Sequence, residues 1–251
     1  MLKAVALLGL LPMLALADCP DGSQGQLAII IDDLGYHRGR GMRLAALPQT
    51  ITLSVIPGTP HAKQVAEEGI RQGKEIMIHM PMSPAHAPVD YSLALHKNLS
   101  ATDFDATVER ALVEIPQATG MNNHMGSRLT EDRIAMRRLM TVLKDKQLFW
   151  IDSRTTRKTV AVETAATMGI PAASRSVFLD NDRDPPAIAR HLLRAINFAK
   201  STGSAIAIGH PHPETIQALQ DYLPTLSAAV TLVPASTIAR CPPTQRLTSI
   251  P

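Results

Sequence analysis

Six ionisable side chains stand at or just beyond the ends of short apolar runs in this 251-residue chain: Asp32, Asp33, His79, His124, Asp152 and His210. Carboxylates and imidazoles of this kind can bind a divalent cation and transfer protons in a hydrolytic reaction. Each residue also has a simpler interpretation, because an Asp after a strand commonly caps a turn and a lone His commonly serves the structure. Their number favours one shared site, with a structural barrel whose polar strand ends are only turns as an alternative.

The adjacent carboxylates of Asp32 and Asp33 are the sharpest of these signals. They follow the apolar run Leu27–Ile31 and precede Leu34 and Gly35. Two neighbouring carboxylates repel each other, so a cation or hydrogen-bond donors must stabilise the pair. Adjacent residues at a strand end point in different directions, which lets one carboxylate bind a cation while the other faces a water molecule. For this motif alone, a surface turn is an equally good interpretation.

The hydrophobic pattern predicts the elements that must position these residues. From Gln26 onward, short β-branched runs alternate with amphipathic stretches, which is typical of strand-helix units around a parallel sheet whose carboxyl ends share one face. The predicted strands are Leu27–Asp32, Ile51–Ile56, Glu75–Met80, Gly120–His124, Leu148–Asp152, Ser176–Leu179, Ala205–Gly209 and Val230–Pro234. The predicted helices are His61–Gln72, Thr102–Ile115 with Thr102 as N-cap, Glu131–Lys146, Ala161–Met168, Pro186–Ser201 and Pro213–Ala228.

Several of these segments form an ordered series of motifs: Ile30–Gly35, Thr52–Ile56, Gly73–His79, Gly120–Ser127, Trp150–Ser153 and Ile208–Pro213. The series resembles the polysaccharide deacetylases, and specifically their divergent branch, over about Gln26 to Ala239. The resemblance implies an α/β fold, a distorted and incomplete (β/α) barrel with about seven to eight mostly parallel strands and surrounding helices.

The resemblance also implies roles for the polar residues. Asp32 would be the general base, Asp33 and His79 metal ligands, and His210 the catalytic acid, oriented by Asp152. His212 ranks below His210, because the prolines on either side of it favour a rigid rim. The residues expected to contact the substrate are Asn122, Asn123 and Met125, the last near a backbone N–H that could stabilise an oxyanion.

Two departures from the family pattern affect the site. Better-known deacetylases carry a second histidine four residues after the first, where this chain has Ser83. We assign the third ligand to His124, because one Asp and two His give the ligand set of a catalytic zinc site, although Mn, Fe, Co and Ni also accept such ligands. The family's arginine-proline motif is replaced by Asn122 and Asn123, so the tuning of the base must come from elsewhere, with Arg128 and Arg154 as candidates.

The resemblance implies a metal-dependent hydrolase, with zinc as the expected metal, that removes acetyl groups through C–N or ester cleavage from an acetylated glycan or related small carbohydrate of the envelope. Aromatic residues make up only 3% of the chain, with Trp150 the single tryptophan, which favours a short ligand over a long stacked polymer. The alternative is a catalytically weak or inactive barrel that binds carbohydrate or a partner. The net charge of +3 without a basic stripe gives no support for nucleic-acid binding.

The amino terminus predicts export. Lys3, the apolar run Ala4–Ala15 and the small residues Ala15 and Ala17 indicate a signal peptide, residues 1–17, cleaved before Asp18. The mature chain, residues 18–251, would be one periplasmic domain with an ordered core over about 26–239 and no stable membrane insertion. An uncleaved anchor is disfavoured because the run is shorter than the roughly 20 residues of a membrane span, and a lipid anchor because Asp18 precedes Cys19.

The two cysteines of the chain are Cys19 and Cys241, near opposite ends. In an oxidising compartment, the natural prediction is a disulfide that ties the termini together. Two unpaired thiols on the terminal segments are the alternative.

Overall fold

The structure, a computed structural model, describes residues 24–48, 50–226 and 228–241. The strands are β1 (Gln26–Leu34), β2 (Thr52–Val55), β3 (Glu75–Met82), β4 (Gly120–Met125), β5 (Phe149–Asp152), β6 (Ala172–Ser174), β7 (Val177–Phe178), β8 (Ser204–Gly209) and β9 (Thr231–Leu232). The helices are α1 (Arg38–Ala45), α2 (Ala62–Arg71), α3 (Ala101–Glu114), α4 (Arg133–Asp145), α5 (Ala161–Thr167), α6 (Pro185–Thr202), α7 (Pro213–Leu226) and α8 (Ala235–Arg240). The signal peptide and Cys19 lie outside the described residues, so cleavage and the disulfide stay predictions.

The described strands form one parallel sheet in the order β6-β5-β4-β3-β2-β1-β8-β7, and β9 also pairs with β1. Helices surround this sheet, and together they form an incomplete (β/α) barrel. This architecture confirms the predicted fold class. Because all strands run in the same direction, their carboxyl ends meet along one edge, where such folds place their active sites.

Strand β1 lies at the centre of the core, and its residues Leu27–Ile31 are fully buried. Leu27, Ile29 and Ile31 pack in the large cluster beneath the surrounding helices. Ala28 and Ile30 face the other way, into a smaller cluster that includes Ile238 of α8. Burial on both faces explains why the strands read as continuous apolar runs rather than alternating ones.

The structure adds elements that the pattern did not predict, and it moves one helix start. The three-residue strand β6 is too short for a periodic signal, and α1 contains two glycines and three arginines rather than an apolar stripe. Helix α3 begins at Ala101, and the Ser100 hydroxyl accepts a hydrogen bond from the Asp103 N–H, so the predicted Thr102 cap was wrong. Within the described ranges, no helix has the length and apolar character of a membrane span.

Candidate active site

The Asp32-Asp33 pair lies at a bulge in β1. Ile31 pairs with Leu53 of β2, but Leu34 pairs with Val55, so β1 has one extra residue between these positions. Asp33 lies within this bulge and adopts a left-handed backbone conformation, with φ of 57°. A bulge re-aims the side chain that follows it, and here it brings both carboxylates towards the same histidine. Asp32 Oδ2 lies 3.6 Å and Asp33 Oδ1 lies 3.2 Å from His79 Nε2.

Three potential ligand atoms from three strands converge beside this bulge. His79 comes from the buried middle of β3, and His124 from the carboxyl end of β4. His124 Nδ1 lies 2.8 Å from Asp33 Oδ1 and 3.2 Å from His79 Nε2. The structure therefore brings together the three residues that the sequence assigned to the metal.

The chemistry of these atoms fits a cation. Asp33 Oδ1 is buried and accepts no hydrogen bond of normal geometry among the described residues, although both imidazoles lie close to it. A carboxylate oxygen and two imidazole nitrogens present lone pairs to one point, which is the arrangement that zinc and similar ions need.

In each of the two histidines, one ring nitrogen is hydrogen-bonded to a neighbouring side chain. The lone pair of the other ring nitrogen then points towards the proposed metal position beside Asp33. Asn122 Nδ2 donates to Asp32 Oδ1 at 2.8 Å, so Asn122 Oδ1 faces His79 and accepts from its Nδ1–H at 2.7 Å. His79 Nε2 is therefore free to act as a ligand. His124 Nε2 lies 2.8 Å from the hydroxyl of Tyr91, which can accept its proton and leave Nδ1 as the ligand atom.

The electrostatics of the cluster agree with a cation site. Burial raises the pKa of Asp32, against the opposing effect of His79. Burial also acts to raise the pKa of Asp33, but His124 and His79 hold it well below its usual value. Desolvation opposes charge on His79, yet the two aspartates raise its pKa. The two aspartates thus favour positive charge on His79, as expected where carboxylates surround a buried group.

His210 follows β8, and its partner differs from the predicted one. His210 Nδ1 donates to Asp180 Oδ1 at 2.8 Å, and Asp180 Oδ2 accepts from the His210 backbone N–H at 2.6 Å and from Thr215. The assignment of Asp152 as the orienting carboxylate was wrong, because β5 is separated from β8 by four strands whereas β7, which Asp180 closely follows, is the neighbour of β8. Although burial opposes it, Asp180 raises the pKa of His210 to about 9.

Asp152 instead accepts hydrogen bonds from residues of the loop that follows β5. Its Oδ1 accepts from the Arg154 backbone N–H at 2.7 Å and its Oδ2 from the Thr159 hydroxyl at 2.8 Å. Burial raises its pKa, against the effect of the Arg154 N–H. Asp152 therefore shapes the turn after β5.

The predicted substrate contacts of Asn122 and Asn123 were also wrong, because both side chains are buried and bonded within the protein. Asn122 links Asp32, His79 and Ser54. Asn123 donates to the Met125 carbonyl and accepts from the Ser153 N–H, tying β4 to the loop after β5. Met125 is 37% exposed and stands at the strand end with φ of 56°, so it can reach a ligand.

The sequence did not single out Asp180, Tyr91 or Arg175. Asp180 directly follows the predicted strand Ser176–Leu179, so the rule that selected the other residues would also have selected it. Tyr91 lies in the loop between β3 and α3, where no local signal indicates its contact. The charge of Asp32 acts on Arg175, although burial and the charge of Arg154 affect the pKa of Arg175 more strongly.

Comparisons with known proteins agree with this architecture. The chain is 42% identical over 211 residues to an uncharacterized protein of Haemophilus influenzae, covering 84% of this chain and 75% of that one. It is 36% identical over 218 residues to the uncharacterized protein YibQ of Escherichia coli, covering 87% and 68%. The crystal structure of an uncharacterized protein from Agrobacterium tumefaciens superimposes with a TM-score of 0.81 at 20% identity, covering 85% and 89%, and so shares the fold.

The family comparison covers nearly all of the barrel. The model of the divergent polysaccharide deacetylases matches residues 29–239, from the middle of β1 to the end of α8. The matched region contains every ionisable residue of the site described above. The chain therefore belongs to the divergent polysaccharide deacetylase family.

Proposed function

We propose that the protein is a metal-dependent hydrolase that removes acetyl groups from a carbohydrate of the bacterial envelope, with zinc as its metal and the periplasm as its compartment. The observation that carries this proposal is the approach of Asp33 Oδ1, His79 Nε2 and His124 Nδ1 to within 3.2 Å of one another. Membership in the deacetylase family supports acetylated carbohydrate as the substrate class.

In this proposal Asp33, His79 and His124 hold the metal. A divalent cation bound there supplies activation of water and polarisation of the acyl carbonyl. Asp32 is the general base: Asn122 fixes its Oδ1, while Oδ2 lies 3.6 Å from His79 and is left to take a proton from water. Burial raises the pKa of this carboxyl, which increases its strength as a base.

His210 is the general acid. Cleavage of an amide requires a proton on the leaving nitrogen, and Asp180 keeps His210 protonated at neutral pH by raising its pKa to about 9. Because Nδ1 is bonded to Asp180, the proton for the leaving group comes from Nε2. Asp32, with its free Oδ2, thus takes the proton from water, and His210, with its raised pKa, gives a proton to the leaving group.

The test combines metal analysis with acetate release. Purified protein is stripped of metal and reloaded with zinc, and acetate is then measured on N-acetylated and O-acetylated oligosaccharides. We expect one zinc per chain and acetate release in the wild type, and loss of both in His79→Ala and His124→Ala. His86→Ala, which changes an exposed histidine in the loop between β3 and α3, is the matched control.

Unchanged zinc content in the two ligand variants would overturn the metal assignment. Intact zinc binding with no acetate released from any acetylated glycan would instead favour the noncatalytic binding barrel.

A further inference from the structure

Arg175 lies at the carboxyl edge of the sheet, in the connection between β6 and β7. Its guanidinium is held by the protein backbone: Nε donates to the Ser153 carbonyl at 2.7 Å and Nη2 to the Arg154 carbonyl at 3.1 Å. The group also lies over the ring of Phe178, 3.6 Å from its centroid. Phe178 in turn stacks with His210, at 6.0 Å between ring centroids. Arg175 is therefore fixed one ring away from the proposed general acid.

This half-buried cation has no carboxylate partner within 4.0 Å in the part of the chain that the structure describes. A guanidinium carries five N–H donors, and backbone carbonyls take up only part of this capacity. The remaining donors of Arg175 find no acceptor among the described residues. Burial and the nearby charge of Arg154 lower its pKa to about 10, which leaves it fully charged at neutral pH.

The charges around the site leave room for an anion. Four carboxylates face three cationic side chains there: Asp32, Asp33, Asp152 and Asp180 against Arg154, Arg175 and His210. A divalent cation held by Asp33, His79 and His124, as proposed above, would add two positive charges, so that positive charge would exceed negative charge among these groups by one. Such an excess of positive charge would attract a negatively charged ligand.

We propose that Arg175, supported by the charge of Arg154, binds a carboxylate of the substrate, so that the acetylated sugar or its immediate neighbour is acidic. A planar guanidinium pinned at two positions matches a planar carboxylate better than a neutral hydroxyl group. This inference rests on the proposed function, since the carboxylate belongs to the carbohydrate that the site deacetylates. It narrows the substrate from acetylated glycans in general to glycans that contain an acidic sugar.

The test measures binding rather than turnover. The mature, zinc-loaded protein is titrated by NMR with two pairs of sugars. Glucuronate and glucuronamide differ only in the charge of one carboxyl group, and N-acetylmuramic acid differs from N-acetylglucosamine in a lactyl group that carries a carboxylate. We expect the anionic member of each pair to bind about tenfold more tightly to the wild type. Arg175→Gln should remove this preference, whereas Arg194→Gln, an exposed arginine on α6, should keep it.

Two further results distinguish bidentate binding by the Arg175 guanidinium from simple charge attraction and from direct binding of the anion to the metal. Arg175→Lys keeps the charge but loses the fork, so it should keep only part of the preference, and the amide spectrum of each variant checks that it is folded. Anions that bind the metal directly would keep their preference in Arg175→Gln, and that result would overturn the inference. Equal binding of both members to the wild type, or no binding of either, would overturn it without recourse to any variant.

The proposed function is tested separately by acetate release from neutral acetylated sugars. Acetate release without a carboxylate preference would defeat only the acidic-substrate inference. An Arg175-dependent preference without acetate release from any substrate would defeat only the hydrolytic proposal.

Discussion

Nδ1 of His210 lies 2.8 Å from Oδ1 of Asp180, and the same carboxylate accepts the backbone N–H of His210. The contact joins the ends of two neighbouring strands, β7 and β8. It fixes the ring, sets which nitrogen is free, and raises the pKa of His210 to about 9. Asp180 therefore has the largest part in setting the pH range in which the proposed acid holds its proton, and Asp32 and Asp33 raise the pKa further.

Loss of the His210 proton should limit activity at high pH. Because His210 acts in its protonated form, acetate release should fall as pH rises through about 9. In Asp180→Asn the histidine loses its ion pair, so the fall should move towards the ordinary histidine value of about 6.5. Asp152→Asn should leave the pKa of His210 unchanged. NMR titration of the His210 ring measures these values, and equal pKa values in wild type and Asp180→Asn would contradict the assignment.

The same pair should make stability depend on pH. A raised histidine pKa contributes stability that is fully present below about pH 6.5 and is lost as pH rises through about 9. The lowered pKa of Asp180 sets the acid limit, below its unfolded value of about 4. Asp180→Asn should therefore lower the free energy of unfolding by roughly 2–3 kcal/mol at pH 7, with a smaller deficit at pH 10. Denaturant unfolding at both pH values measures the difference, and a constant deficit would contradict it.

The orienting role of Asn122 behind the metal ligand His79 can be tested by truncation. Asn122→Ala removes the acceptor of His79 Nδ1–H and the donor to Asp32 Oδ1, so zinc affinity should fall roughly 10–100-fold. Ser54→Ala removes only the Ser54 hydroxyl that donates to Asn122, and its effect should be smaller. Competition with a chelator measures both affinities. Equal zinc affinity in wild type and Asn122→Ala would show that this amide does not orient the ligand.

Tyr91 should act on the other imidazole. Tyr91→Phe deletes the hydroxyl that lies 2.8 Å from His124 Nε2, so the ring loses its fixed tautomer and zinc affinity should fall about tenfold. Tyr222→Phe, on an exposed position of α7, is the control and should bind zinc as the wild type does. The same chelator competition applies, and a Tyr91→Phe protein indistinguishable from Tyr222→Phe would refute the contact.

Gly35 should be essential for the turn that follows the two aspartates. A Cβ there would lie 1.9 Å from Thr59 Oγ1, and the residue has φ of +119°, a conformation that L-residues avoid. Gly35→Ala should destabilise the protein by roughly 2–4 kcal/mol. Gly39→Ala, in α1 with open space around it, should be neutral or slightly stabilising. Thermal unfolding compares the two, and similar melting temperatures would contradict the predicted steric clash.

The amino-acid sequence was enough to predict the parallel α/β architecture, most of the strands, and the candidate site residues Asp32, Asp33, His79, His124 and His210. It could do so because buried parallel strands are continuous apolar runs, and their carboxyl ends fall on one edge whatever their order. Short or atypical elements gave no periodic signal, which is why β6, α1 and α8 emerged only in the structure.

Which of these residues contact one another depends on the folded arrangement of the strands and loops. The partner of His210 depends on strand order, and the order β1-β8-β7 places Asp180 rather than Asp152 beside it. The hydrogen bonds of the buried Asn122 depend on which strands lie on either side of β4. The contacts of Tyr91 and Arg175 depend on the path of the loops that follow the strands. Local sequence encodes the type and end of a strand, whereas contacts between distant residues depend on the path of the whole chain.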